Sequence, residues 1–292
     1  MNWKMVAIVT VAVLSVIGFG GTVWGGYNIM RSLMRQSQPD LLAASRSQCN
    51  SADPATSIAG CTAILQSNQA QDADRTYAYF QRGLSYERHG DLDLAIQDDS
   101  EVIRRSPKEY MAWNNRGYAH LRKGNPGELD LAIADLDHAI DLEPEMTIAR
   151  FNRGEAHNRK GDEREAIDDF SGVIKLEPKN AMAWNNRCYY RAIAGQLDDA
   201  LADCNQSLKL KPNVGATLDS RAFTYLKMKK YDLAIADYDS AIHQSGDKAI
   251  WLYGRGLARR GKHDAAGAKA DMDAATQMDP GIVGRFRKLG MS

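Results

Sequence analysis

Two residue types recur in this chain at an interval that invites a chemical reading. Arginine occurs as Arg82, Arg116, Arg153, Arg187, Arg221 and Arg255, and aspartate as Asp98, Asp135, Asp169, Asp203, Asp237 and Asp271. A guanidinium presents a planar fork of donors that a carboxylate can accept twice, so six such pairs predict a ladder of bidentate bonds. An anion-binding stripe is the competing reading, weakened because each positive charge has its own negative one. Asn115, Asn152 and Asn186 directly precede three of the arginines, with Asn114 and Asn185 beside two of them. A side-chain amide both donates and accepts, so it can bond a ligand's main chain whatever that ligand's sequence. With Tyr118, Phe151, Tyr189 and Phe223 nearby, the asparagines are candidates for a peptide-gripping row. The alternative is that they belong to the chain's own packing.

Other chemistry is missing. No nucleotide-binding glycine loop, HExxH or GxSxG run occurs, and the six histidines form no ligand-like cluster, so neither catalysis, metal nor cofactor is expected. His120 and His157 read as packing residues. The 37 basic side chains balance 37 acidic ones, which gives no global attraction to nucleic acid. Cys49 and Cys61 stand 12 apart and Cys188 and Cys204 stand 16 apart, neither with the CxxC spacing of a metal or redox site. The first pair is expected to bond and staple a divergent N-terminal cap. The second is left open between buried free thiols and a bridge. An even count fits an oxidising space.

The elements that must hold these residues follow from self-similarity. Arg82 to Arg116 spans 34 residues, as do Arg153 to Arg187, Arg187 to Arg221 and Arg221 to Arg255. Each arginine is followed by a small residue (Gly83, Gly117, Gly154, Cys188, Ala222, Gly256) and later by an alanine (Ala95, Ala132, Ala166, Ala200, Ala234, Ala268). Small side chains let two helices cross closely, and Gly90, Gly124, Gly161 and Gly195 fall where a first helix must end. Pro107, Pro144, Pro178, Pro212 and Pro280 close the second helices. The alanine of the second repeat arrives three residues late, and Asn125, Pro126 and Gly127 are expected to lengthen its inter-helix loop.

The spacing of Trp113, Gly117, Ala132, Leu136, Ala139 and Pro144, and of Trp184, Cys188, Ala200, Ser207 and Pro212, resembles the tetratricopeptide repeat family, in the style of a membrane-anchored or exported bacterial member. The resemblance implies an all-α, right-handed superhelical solenoid of antiparallel helix pairs whose first helices line a concave groove for a peptide or partner protein. Six repeats run over 76–282, as 76–109, 110–146, 147–180, 181–214, 215–248 and 249–282. A linker and divergent half-repeat (36–75) precede them, and a short C-terminal cap (283–292) follows. In families of this kind asparagine at repeat position 6 lines the groove. The groove positions here lack the clustered Lys and Arg of chaperone-tail receptors, which disfavours that partner class. The fifth and sixth repeats depart from the pattern, with Lys229 and His263 where the first four carry glycine.

Residues 1–35 differ in kind. Met5 to Met30 contains no charged side chain, which reads as one transmembrane helix or signal anchor, with a cleaved signal peptide as the competing reading. Lys4 on one flank and Arg31 and Arg35 on the other leave orientation undecided by charge. The cysteines tilt it toward the periplasmic side, with the cytoplasmic side as the alternative. The sequence therefore predicts a membrane-tethered scaffold binding a protein or peptide in its groove. The second reading is an assembly factor of an envelope complex that uses its convex face.

Overall fold

The computed structural model describes residues 42–246 and 248–291. The segment expected to meet the membrane lies outside them. Among the described residues there are fifteen helices and no strand, and no helix is long and apolar enough to cross a membrane. They fall into two compact bodies, one ending at Pro107 and the other beginning at Lys108.

The N-terminal body contains α1 (42–49), α2 (Pro54–Gln66), α3 (Asp72–His89) and α4 (Leu92–Arg105). Pro54 at the first turn and Asp53, whose side chain accepts from the Thr56 amide, start α2. Cys49 and Cys61 join α1 to α2, with S–S 1.97 Å and Cα–Cα 4.6 Å. A β-carbon at Gly60 would lie 2.4 Å from the Cys49 amide nitrogen, so only glycine admits this approach. The divergent start is thus a whole helical hairpin, with Ser85 of α3 donating to Ser57 of α2 at 2.7 Å.

The C-terminal body holds five further pairs and one short helix. The pairs are α5 (Tyr110–Lys123) with α6 (Pro126–Leu142), α7 (Thr147–Lys160) with α8 (Glu163–Leu176), α9 (Ala181–Ile193) with α10 (Leu197–Leu210), α11 (Gly215–Lys227) with α12 (Tyr231–Ser245), and α13 (Ala249–Gly261) with α14 (Ala265–Met278). The last helix is α15 (Ile282–Lys288). Each second helix also packs on the first helix of the next repeat. First helices touch one another in the pairs α5–α7, α9–α11 and α11–α13, so this body closes toward its first helices and they line its inner face.

The three extra residues of the second repeat do not lengthen its loop. Asn125 caps α6 by accepting from the Glu128 amide at 3.2 Å, and Pro126 occupies its first turn, so the insertion extends the helix to 17 residues, against 14 in α8, α10 and α14. Proline is preorganised for a first turn, where its missing N–H costs nothing.

The first-helix ends explain the departures at Lys229 and His263. Gly90, Gly124, Gly161 and Gly195 all have positive φ, and at the same repeat position Lys229 and His263 adopt φ +60° and +63°. Such a conformation costs an L-residue about 1–2 kcal/mol. Lys229→Gly and His263→Gly are each expected to stabilise the protein by about 1 kcal/mol, less the entropy that glycine adds to the unfolded chain. A urea midpoint unchanged or lowered in both would contradict this.

Candidate functional site

The arginines and aspartates meet as six side-on pairs. Arg82 Nε and Nη2 donate to Asp98 at 2.7 and 2.8 Å in the N-terminal body. In the C-terminal body Arg116 holds Asp135 at 2.8 and 2.7 Å, Arg187 holds Asp203 at 2.8 Å through both nitrogens, Arg221 holds Asp237 at 2.7 and 2.8 Å, and Arg255 holds Asp271 at 2.8 and 2.7 Å. Arg153 grips Asp169 with Nε at 2.9 Å. The aspartates are buried, and four of the arginines lie over aromatic rings: Arg82 over Tyr79 and Tyr86, Arg221 over Tyr225, and Arg116 and Arg187 over Trp113 and Trp184 at centroid distances of 5.0 and 4.8 Å. Burial outweighs the pairing at Asp98 and lifts its carboxyl above the ordinary range.

The spacing did not reveal the third donor. Nη1 of Arg82, Arg153, Arg187, Arg221 and Arg255 reaches back to Thr62, Asp137, Ser171, Asn205 and Asp239 at 2.6 to 3.0 Å. Each acceptor lies on the preceding second helix, so one guanidinium ties its own hairpin and clamps it to the one before. A polar residue recurring two places after each aspartate was the available signal.

The asparagines bond chiefly to one another. Asn114 donates to Asn115 and Asn152 donates to Asn114, both at 3.2 Å, and all three are buried at 6–7% exposure. Asn185 donates to Asn186 at 3.4 Å and Asn186 donates to Glu155 at 2.9 Å, both of them only partly buried. The bonds from Asn152 to Asn114 and from Asn186 to Glu155 cross between first helices and hold neighbouring repeats together, whereas the other two join adjacent residues of one helix. Two amide atoms of these asparagines stay unsatisfied, Nδ2 of Asn115 and Oδ1 of Asn185, one donor and one acceptor.

Around them runs a row of rings. Phe151 packs edge-on to Phe170 (5.2 Å), Phe170 stacks on Tyr190 (5.6 Å), Tyr190 meets Tyr189 (5.4 Å), and Tyr189 meets Phe223 (5.8 Å). Tyr118, Phe151 and Tyr189 are half-buried while Phe223 is buried. Two carboxylates sit on the same face. Burial raises the Glu155 carboxyl above its ordinary range, against the Arg159 charge and a hydrogen bond from Tyr190. It pushes the Asp219 carboxyl up to about 7, against the Trp251 indole N–H and the Lys248 charge. The most exposed large apolar residues of the first helices are Ile148 at 51% and Met182 at 64%, at the same position of adjacent repeats.

Cys188 and Cys204, which sequence left open, are bonded in the α9–α10 hairpin, with S–S 2.00 Å and Cα–Cα 5.3 Å. Among the described residues no group of His, Cys, Asp and Glu could hold a metal ion.

Helical hairpins locked by a repeating Arg–Asp clamp, with an aromatic inner face, define a repeat protein of the helix-pair class. The sequence model of the tetratricopeptide repeat family matches residues 80–128, 127–173, 161–214 and 221–281, and the chain belongs to that family. No curated protein sequence matches it. Among solved structures, a tetratricopeptide repeat protein from Parabacteroides merdae ATCC 43184 is 20% identical, with a TM-score of 0.67, over 88% of this chain and 100% of that one. Pseudomonas aeruginosa pilF is 18% identical (TM-score 0.59, 72% of this chain and 94% of that one). YrrB, described as a TPR protein with an unusual peptide-binding site, is 18% identical (TM-score 0.50, 62% and 92%). At these identities the likeness concerns the fold alone.

Proposed function

We propose that this protein is a scaffold, tethered to a membrane through its N-terminal segment, that captures a peptide or partner protein on the inner face of its first helices. The observation that carries the reading is the pair Ile148 and Met182, large apolar side chains left in solvent at one repeat position of adjacent repeats. Apolar and Met side chains of this kind favour protein contact. The half-buried Tyr118, Phe151 and Tyr189 continue the surface. The two bonded cysteine pairs support an oxidising compartment, hence the periplasmic side. Catalysis forms no part of the reading.

A second reading has its own observation. Leu131 and Leu233, exposed at 52% and 48%, share a position on second helices and favour capture on the outer face by an envelope assembly. The test is a pull-down with the full chain. Ile148→Asp with Met182→Asp is expected to abolish recovery of the partner while helix content stays unchanged, and Leu131→Asp with Leu233→Asp to leave recovery intact. The reverse pattern would sink the inner-face reading and support the assembly factor. Truncating Asn115, Asn152 and Asn186 is a poorer test, because the amides of Asn152 and Asn186 bond neighbouring repeats and the loss would reduce stability as well.

A further inference from the structure

The end of the chain does not simply close the stack. α15 buries Ile282 and Phe286 at 0% and 2% exposure, and the Phe286 ring lies 4.8 Å from Tyr253 on the first helix of the last repeat. After α15 the chain turns at Gly290, φ +74°, where the Met291 amide donates back to the Phe286 carbonyl at 3.0 Å. This helix-ending turn directs the following apolar residue against the helix it terminates. Leu289 and Met291 then pack, with Tyr189, against the cluster of Phe223 and the Cys188–Cys204 pair, and Met291 also packs against that of Trp251 and Tyr238. Tyr253, Phe223 and Tyr189 stand on the first helices of the sixth, fifth and fourth repeats. An end cap would touch the last repeat; this segment returns across three of them on the inner face.

The segment has the composition of a ligand. Ile282, Phe286 and Leu289 recur at i, i+4 and i+7, the spacing of one apolar helix face, while Arg285, Arg287 and Lys288 stay in solvent. Arg285 forms an ion pair with Asp279 just before α15, and its charge and that of Asp219 in the groove both act on the Tyr189 hydroxyl.

We infer that residues 282–291 are an internal ligand of the inner face of the fourth to sixth repeats, and that the external partner of this stretch is a basic amphipathic helix with the same apolar spacing, which must displace them. This rests on the inner-face reading above and names the partner's chemistry. A tethered segment competes at an effective concentration that free peptide rarely matches. The closed state is therefore the resting one.

The probe is a fluorescently labelled synthetic peptide of residues 281–291, followed by anisotropy. A chain ending at Pro280 is expected to bind it one to one, and the full chain at least about tenfold more weakly. The full-length variant Phe286→Ala with Leu289→Ala, which keeps the chain length, should regain binding. The peptide carrying the same two alanines should bind no form. Equal binding by full and shortened chains, or no binding by both the shortened chain and the double-alanine variant, overturns the inference. Ile148 precedes the fourth repeat, and Met182, although on that repeat's first helix, is 64% exposed and so is not covered by the segment; Ile148→Asp and Met182→Asp should not affect the peptide. If the segment fails to compete while those two substitutions still abolish partner capture, the internal ligand falls and the inner-face reading stands.

Discussion

Arg153→Leu is expected to destabilise its part of the chain by about 3–5 kcal/mol, the usual result of stranding one member of a buried ion pair. Asp169 would keep its burial, at 4% side-chain exposure, and lose both guanidinium donors. The loss also cuts the bond from Nη1 to Asp137 on α6, so two repeats loosen at a single position. Because repeat proteins unfold as coupled neighbours rather than all at once, the effect should be greatest in the amide exchange of α6 to α8 and smaller in α13 and α14. Replacing both partners, Arg153→Met with Asp169→Leu, should recover much of the loss, since removing a buried pair whole is far cheaper than halving it. A double variant as unstable as the single one would mean that the clamp contributes more than satisfied burial. Partner choice should not change in either.

Breaking the Cys188–Cys204 bond is the second large effect. A closed loop of this length, with the cysteines 16 positions apart, constrains the unfolded chain by about 3 kcal/mol. Both sulfurs lie in a cluster with Ala192, Ala200 and Phe223, so Cys188→Ala with Cys204→Ala removes the covalent link and some buried contact together. The variant should unfold at lower denaturant in its fourth repeat, and reduction of the native protein should reproduce most of the shift. The Cys49–Cys61 bond ties 42–49 to α2 in the other body, and its loss should be felt there alone. Equal denaturant midpoints for reduced and oxidised protein would show that neither link constrains the unfolded state.

Much of the architecture was legible in the residues because its causes are local or periodic. Helix ends marked by Gly90, Gly124, Gly161 and Gly195 need only the left-handed conformation that glycine adopts freely. A 34-residue interval carries arginine and aspartate to facing helices wherever the hairpin repeats, so the pairing of Arg82 with Asp98 and its five counterparts could be read without coordinates. Asn125, Pro126 and Gly127 misled: the same residues that form loops also start helices, and the decision fell to the cap that Asn125 makes with Glu128.

Three features depended on distances between helices, which no spacing encodes. Whether an amide such as Asn152 faces a ligand or its neighbour Asn114 is decided by how near α5 and α7 approach, and that approach depends on packing along both helices. The third donor of each arginine found its acceptor on the preceding hairpin for the same reason. The return of Leu289 and Met291 to the cluster of Cys188 and Phe223 joins residues up to about a hundred positions apart, through a turn at Gly290 that the repeat period does not reach. Residue types and intervals determined which helices form and which charges pair within a hairpin; the approach of one hairpin to the next decided which side chains were left free to meet anything else.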